Sequence, residues 1–320
     1  FDGLSFVQTP DDGIPIVMTG GSGIVDIAPP GASAPVTQTV TLERTRTTVL
    51  FRGGHALRLE GAFTGTVDVQ SQGAVVVNPA VGPDFRYRME VLVNDPSPAR
   101  LRQAAAYIDR GVPPGTTSIR PYGGGGEAVD VPLWPAGRDA DLPPGALGDY
   151  TAVRRLAQKV VGRAAGPYVA VNRIESYLRA NYEYDEAPRS VPGVAPINAF
   201  LFDTRRGFCQ HFAGSMALML RSIGIPSRIV VGYTAGRYEA ASDTWVVVDR
   251  DAHAWVQVWM PGGVGWVDFD PTPGRYYPNR VSVGSPDYQP PPATGKPDED
   301  VAREPVKPPR TTPEPTPAPT

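Results

Sequence analysis

Apolar residues recur along this chain with two different periods, and the change from one to the other falls near its middle. Up to about residue 95, apolar and polar positions alternate in short runs at 36–42, 47–51, 65–69, 74–77 and 85–93. These runs are rich in Val and Thr and are separated by clusters of Gly, Pro and Asp. Alternation puts every second side chain on one face of a sheet, so this part predicts a small all-β domain with solvated faces. A weaker helical pattern at 100–109 leads into a stretch dense in Gly and Pro, including 123–126 and 143–144, which predicts an inter-domain connection.

From 149 the spacing turns helical. Val153, Leu156, Ala157 and Val160 form one stripe over 149–163; Val171, Ile174, Tyr177, Leu178 and Tyr182 form another over 169–182. Gly166 and Pro167 break between them. After a Pro-rich loop at 185–196, a third, strongly apolar helix is predicted over 209–222, stopped by Gly224 with Pro226 just beyond. Strands at 227–233, 244–248, 253–260 and 265–270 follow in close order. Helices first and antiparallel strands afterwards predict an α+β domain. From about 285 the chain is dominated by Pro with few apolar side chains, too few to bury a core, and reads as a disordered, semi-rigid linker. The expected organisation is therefore a β-rich domain with its connection over 1–145, an α+β domain over 146–284 and a linker over 285–320. No internal repeat is visible.

Composition narrows the function. With 320 residues there is room for two cores. A formal net charge of −3 and a sequence pI near 5.7 leave no basic footprint, which argues against a nucleic-acid partner. No apolar run approaches the ~20 residues that span a bilayer, and no signal-peptide pattern opens the chain. It begins at Phe1 rather than Met, so the expectation is a piece of a longer protein. A single cysteine excludes an intrachain disulfide, which does not decide the compartment.

That cysteine, Cys209, opens the third helix within Arg-Arg-Gly-Phe-Cys-Gln-His-Phe-Ala. Unsatisfied N–H groups at a helix start favour a thiolate, and Phe212, Met216, Met219 and Leu220 make the helix a rigid, buried mount. A small core hydrophobe suits the same position equally well. The strand pair adds a base and its orienter. If Pro261-Gly262 is a two-residue turn, His253 lies opposite Asp270, Trp255 opposite Asp268 and Gln257 opposite Trp266. Opposed residues share a face about 5 Å apart. This favours Asp270 over Asp268 as the acid that holds the imidazole of His253. Of the other histidines, His55 falls in a Gly-rich loop, and His211 projects ~200° around the helix from the cysteine. No Cys-x-x-Cys, His-Glu-x-x-His or EF-hand spacing is present, so neither a metal nor a cofactor is expected. The glycines at 123–126 do not open a helix after a strand and do not predict a phosphate cradle.

Gly-Phe-Cys-Gln-His-Phe-Ala, Leu-Arg-Ser-Ile-Gly-Ile-Pro-Ser-Arg-Ile-Val-Val-Gly-Tyr, His-Ala-Trp-Val-Gln-Val and Trp-Val-Asp-Phe-Asp-Pro-Thr-Pro, in that order, resemble the core of the transglutaminase-like superfamily over roughly 150–275. The likeness is to bacterial membrane-anchored members, and Asn198-Ala-Phe-Leu-Phe resembles their approach to the cysteine. The resemblance implies a papain-like α+β fold with Cys209 as nucleophile, His253 as base and then acid, and Asp270 as orienter. It implies acyl transfer from glutamine or peptide amides through a thioester. The oxyanion would be held by the Cys209 N–H and a second donor, for which Tyr184 and Trp255 are candidates beside a plain packing role. It also implies an extracytoplasmic location, membrane attachment through segments outside this chain, and a protein or peptide substrate such as a cell-wall or surface peptide. Relatives often carry Glu where this chain has Gln210 and Gln257, which alters local charge. A peptidase or amidase using water as acceptor, and a catalytically silent surface scaffold, remain as alternatives.

Overall fold

The computed structural model describes residues 14–26, 35–70, 73–103, 111–120, 122, 127–142 and 145–274. The predicted linker 285–320, the glycines at 123–126 and the prolines at 143–144 lie outside the described residues. So does most of the helix expected at 100–109, of which the described part belongs to the helix Pro98–Gln103.

The first part contains two four-stranded antiparallel sheets. One runs Ile14–Pro15, Thr66–Val69, Val75–Val81, Thr47–Val49; the other runs Ser22–Ile24, His55–Gly61, Arg86–Leu92, Val36–Thr41. They enclose one apolar cluster that includes Leu59, Val75, Tyr87, Met89 and Val91. The strand His55–Gly61 replaces the Gly-rich loop expected around His55. Its register shifts between Ala56 and Arg58, so Ala56 and Leu57 are both buried and the alternation that marks a strand is broken. His55 itself pairs with Asp26 at 2.7 Å in an exposed position.

The second part is a helix-and-sheet layer. Helices α1 (Thr151–Val161), α2 (Pro167–Asn181) and α3 (Cys209–Ser222) precede a sheet of β1 (Ser227–Tyr233), β2 (Ala252–Met260) and β3 (Gly265–Phe269). The sheet order is β1-β2-β3, antiparallel throughout. The buried core joins Phe212, Met216 and Met219 of α3 to Val256 and Val258 of β2. The strand expected at 244–248 covers only Thr244–Val246, and it pairs with Arg237–Glu239 as a separate hairpin at the tip of the β1–β2 connection. This is an α+β fold with a β-rich part ahead of it.

Two features fix α3. It ends at Gly224, where φ is +82° and an added Cβ would lie 2.0 Å from the Pro132 carbonyl oxygen, so only glycine fits. Arg154 of α1, buried, donates to the Ser222 carbonyl at the end of α3 and to the carbonyls of Gly137, Arg138 and Ala140 at 2.9, 3.1 and 2.9 Å. The first part docks on the sheet through Asn94, whose Nδ2 donates to the carbonyls of Val264 and Trp266 at 2.8 and 2.7 Å.

Candidate active site

Cys209 is the first residue of α3, half-buried, and Phe208 before it is still extended. Gly207 lets the chain pass close beneath the helix: a Cβ there would meet His211 at 2.8 Å and Phe200 at 2.9 Å. No side chain caps α3, and the N–H groups of His211 and Phe212 turn back to the Phe208 carbonyl. The N–H groups of Cys209 and Gln210 have no acceptor among the described residues. They are orphan donors of a helix start, beside the sulfur.

His253 is the second residue of β2, and Asp270 follows the last residue of β3. The imidazole Nε2 lies 2.8 Å from Asp270 Oδ2, with side chains only 1% and 2% exposed. Nδ1 is equally buried and makes no hydrogen bond of proper geometry. Burial is the largest influence on the His253 pKa and lowers it. The hydrogen bond to Asp270, then that to Cys209 and the charges of both, outweigh burial and push the pKa up to about 9. With Nε2 committed to Asp270, Nδ1 is the ring nitrogen left open, and Cys209 is the other residue near enough to raise the pKa of the ring.

The pairing of β2 with β3 differs from expectation by two residues. Gln257 lies opposite Asp268 and Trp259 opposite Trp266, because the turn takes all of 261–264, with Gly262 and Gly263 at positive φ. A slip of two preserves facing. Asp270 therefore meets His253 diagonally rather than squarely, and Asp268 reaches Trp255 Nε1 on the same diagonal at 2.9 Å. The Trp255 indole lies 6.4 Å from the imidazole, nearly parallel at 17°. Its N–H is thereby committed to Asp268. Gln257 accepts from Arg228 Nε at 2.9 Å. Tyr184 packs, half-buried, on the core.

Two residues of this site went unread in the sequence. The Asp270 N–H donates to Glu175 Oε1 at 3.0 Å, and Arg179 Nη1 donates to the Asp270 carbonyl at 3.1 Å. Glu175 and Arg179, one turn apart on α2, hold the two peptide groups that flank the Asp270 Cα, while the Thr272 N–H donates to Asp270 Oδ1 at 2.9 Å. The available signal is a Glu/Arg pair at i and i+4 directly beside the buried Ile174 and Leu178. Glu175→Ala is expected to drop the His253 pKa from about 9 toward 6.5 by freeing Asp270. Glu175→Gln, which keeps an acceptor oxygen, should restore most of it. Imidazole NMR titration reads this, and an unmoved pKa in Glu175→Ala would refute it.

His211 stands apart from Cys209, with its ring against Phe208 and Phe200 at 4.6 and 5.7 Å and its pKa lowered by burial. His55 is in the first part. Among the described residues no cluster of His, Cys, Asp and Glu could hold a metal ion. A groove of about 760 Å³ lined by Arg102, Lys159, Arg173 and Tyr177 contains none of the three clustered residues.

A family model described as the transglutaminase-like superfamily matches residues 154–271. A protein-glutamine gamma-glutamyltransferase of Pseudomonas aeruginosa is 42% identical over 132 residues, covering 41% of this chain and 19% of that protein. Protein YebA of Bacillus subtilis is 37% identical over 129 residues, covering 38% and 17%. The match thus spans less than a fifth of the length of these relatives. The crystal structure of the periplasmic domain of TgpA from Pseudomonas aeruginosa superposes with a TM-score of 0.52 at 23% identity, over 85% of this chain and 78% of that one, and shows a shared fold.

Proposed function

We propose, from the membership of residues 154–271 in the transglutaminase-like superfamily, that this chain is a thiol acyltransferase acting on glutamine side chains of proteins or peptides. The observation that carries the reading is the buried His253–Asp270 pair, whose remaining ring nitrogen is left for a thiol at a helix start. Cys209 loses its proton to His253 Nδ1, and Asp270 holds the resulting imidazolium through Nε2. The thiolate attacks the glutamine carboxamide carbon. The oxyanion faces the orphan N–H groups of Cys209 and Gln210. On collapse the C–N bond breaks, His253 returns the proton to the nitrogen, and ammonia leaves a thioester on Cys209. An acceptor amine, deprotonated by His253, then attacks the thioester carbonyl, forms an amide and releases the thiol. With Gln at 210 and 257, and Gln257 accepting from Arg228, neither position supplies a carboxylate to attract a cationic acceptor.

Water can take the place of the amine with the same residues, giving hydrolysis. An extracytoplasmic position is supported by the fold shared with a periplasmic domain. No described helix is long and apolar enough to cross a membrane. The test incubates the protein with a glutamine-containing peptide, with and without a primary amine, and weighs the products. An amide-linked adduct that depends on the amine and vanishes in Cys209→Ala is expected. A glutamate product alone would replace transfer by hydrolysis, and no turnover in either case would end the proposal.

A further inference from the structure

β1 stands at the edge of the sheet, and three hydrogen bonds fix which way its backbone points. The Thr234 N–H donates to the Asp251 carbonyl and the Trp259 N–H to the Pro226 carbonyl, so even-numbered residues of β1 bond inward to β2. The Ser227 N–H instead donates outward to Thr116. By alternation the N–H and C=O groups of Ile229, Val231 and Tyr233 face outward, and among the described residues none has a partner there. Val231 is 60% exposed and Tyr233 39%. Although the Tyr233 ring packs edge-on against Phe51 at 5.4 Å, the outward backbone groups are left unpaired by the described residues, and such an edge is a template for another strand.

Its position adds a function. Gly232 lies opposite His253 in the register, and a Cβ on Gly232 would meet the Trp255 indole at 2.9 Å. The missing side chain lets the indole that flanks the imidazole extend over β1 toward the open edge. We infer that the outer edge of β1 docks an extended peptide that carries the reactive glutamine opposite Gly232, with apolar residues on either side. The inference rests on the acyl-transfer reading and names its substrate class. The added strand would run about 10 Å from the His253 backbone, two strand spacings away, a gap that a glutamine side chain and the imidazole bridge together. Side chains one residue before and after the glutamine fall on the opposite face, against Val231 and Tyr233, where β-branched or aromatic partners pair best. Trp245 and Val247 in the connection beyond β1 enlarge the exposed apolar surface.

The test measures binding in Cys209→Ala protein, so that turnover does not intervene, with a labelled Thr-Val-Gln-Val-Thr peptide. Val231→Pro removes one outward N–H and leaves the inward ladder intact, as edge prolines do. Affinity is expected to fall about tenfold in Val231→Pro, for a peptide N-methylated at its valines, and for Thr-Asp-Gln-Asp-Thr. Amide exchange at Val231 and Tyr233 in Cys209→Ala with Val231 intact should slow on binding. Equal affinity across these arms, free exchange at both amides in the complex, or no binding at all would overturn the inference. The alkylation rate of Cys209 in the protein with Cys209 intact reads the catalytic proposal separately. A fast rate beside an indifferent edge removes only the docking strip; a rate like that of a free thiol removes the catalytic proposal, and the edge is still judged by binding.

Discussion

His253→Ala will slow alkylation of Cys209 by iodoacetamide at pH 7 by about tenfold or more, and will cut amine incorporation by 10²- to 10⁴-fold or beyond, on the order of a lost acid–base group. The cause is a single proton. In the proposed reaction that proton passes to an imidazole whose pKa is pushed up to about 9, so the ring holds a proton through neutral pH. The pH dependence follows in sign. In the proposed reaction the imidazolium protonates departing ammonia, so activity is expected to fall on the alkaline side near 9. In Asp270→Asn the first of the upward influences is gone, and that limb should move down toward 6.5. Stability moves the same way. His253 is raised in the folded protein, so its contribution is complete below the unfolded value near 6.5 and is lost as pH climbs through about 9. The integrated loss is roughly 3 kcal/mol as an order of magnitude. Stopped-flow alkylation and urea melts across pH 6–10 would check both. Unchanged alkylation in His253→Ala would remove the imidazole from the chemistry.

The parts of this site that could be read from residues are those whose information is local. Cys209 announces itself because Gly207 before it and an unbroken apolar stripe after it describe a helix start without reference to the rest of the chain. His253 and Asp270 needed only parity. A two-residue error in the turn at 261–264 left both on one face, since side chains repeat every second residue. What was hidden depends on contacts between distant segments. Glu175 and Arg179 look like solvated positions of α2 until the Asp270 peptide arrives from 95 and 91 residues away. Likewise His55–Gly61 is a strand whose pairing with Arg86–Leu92 takes a shifted register between Ala56 and Arg58, which erased its period.

Arg154 is the strongest case of this kind, and its removal carries the largest expected loss of stability. At 7% exposure it sits one position from the apolar stripe of α1, where its charge reads as surface. Its guanidinium instead satisfies the Ser222 carbonyl at the end of α3 and three carbonyls of 137–140. Burial lowers its pKa, with Asp139 acting the other way. Arg154→Ala strands several carbonyls at once, each costing about 1–3 kcal/mol if left unpaired, and opens a cavity under α3. A net loss of about 3–5 kcal/mol is expected by urea denaturation. Arg154→Lys should recover only part, because one ammonium cannot span the fork of acceptors that a planar guanidinium reaches. Arg155→Ala, one residue on and exposed, should change stability by less than about 0.5 kcal/mol. A cost below about 1 kcal/mol in Arg154→Ala would mean that water replaces the guanidinium at these carbonyls, and that α3 holds Cys209 in place without this brace.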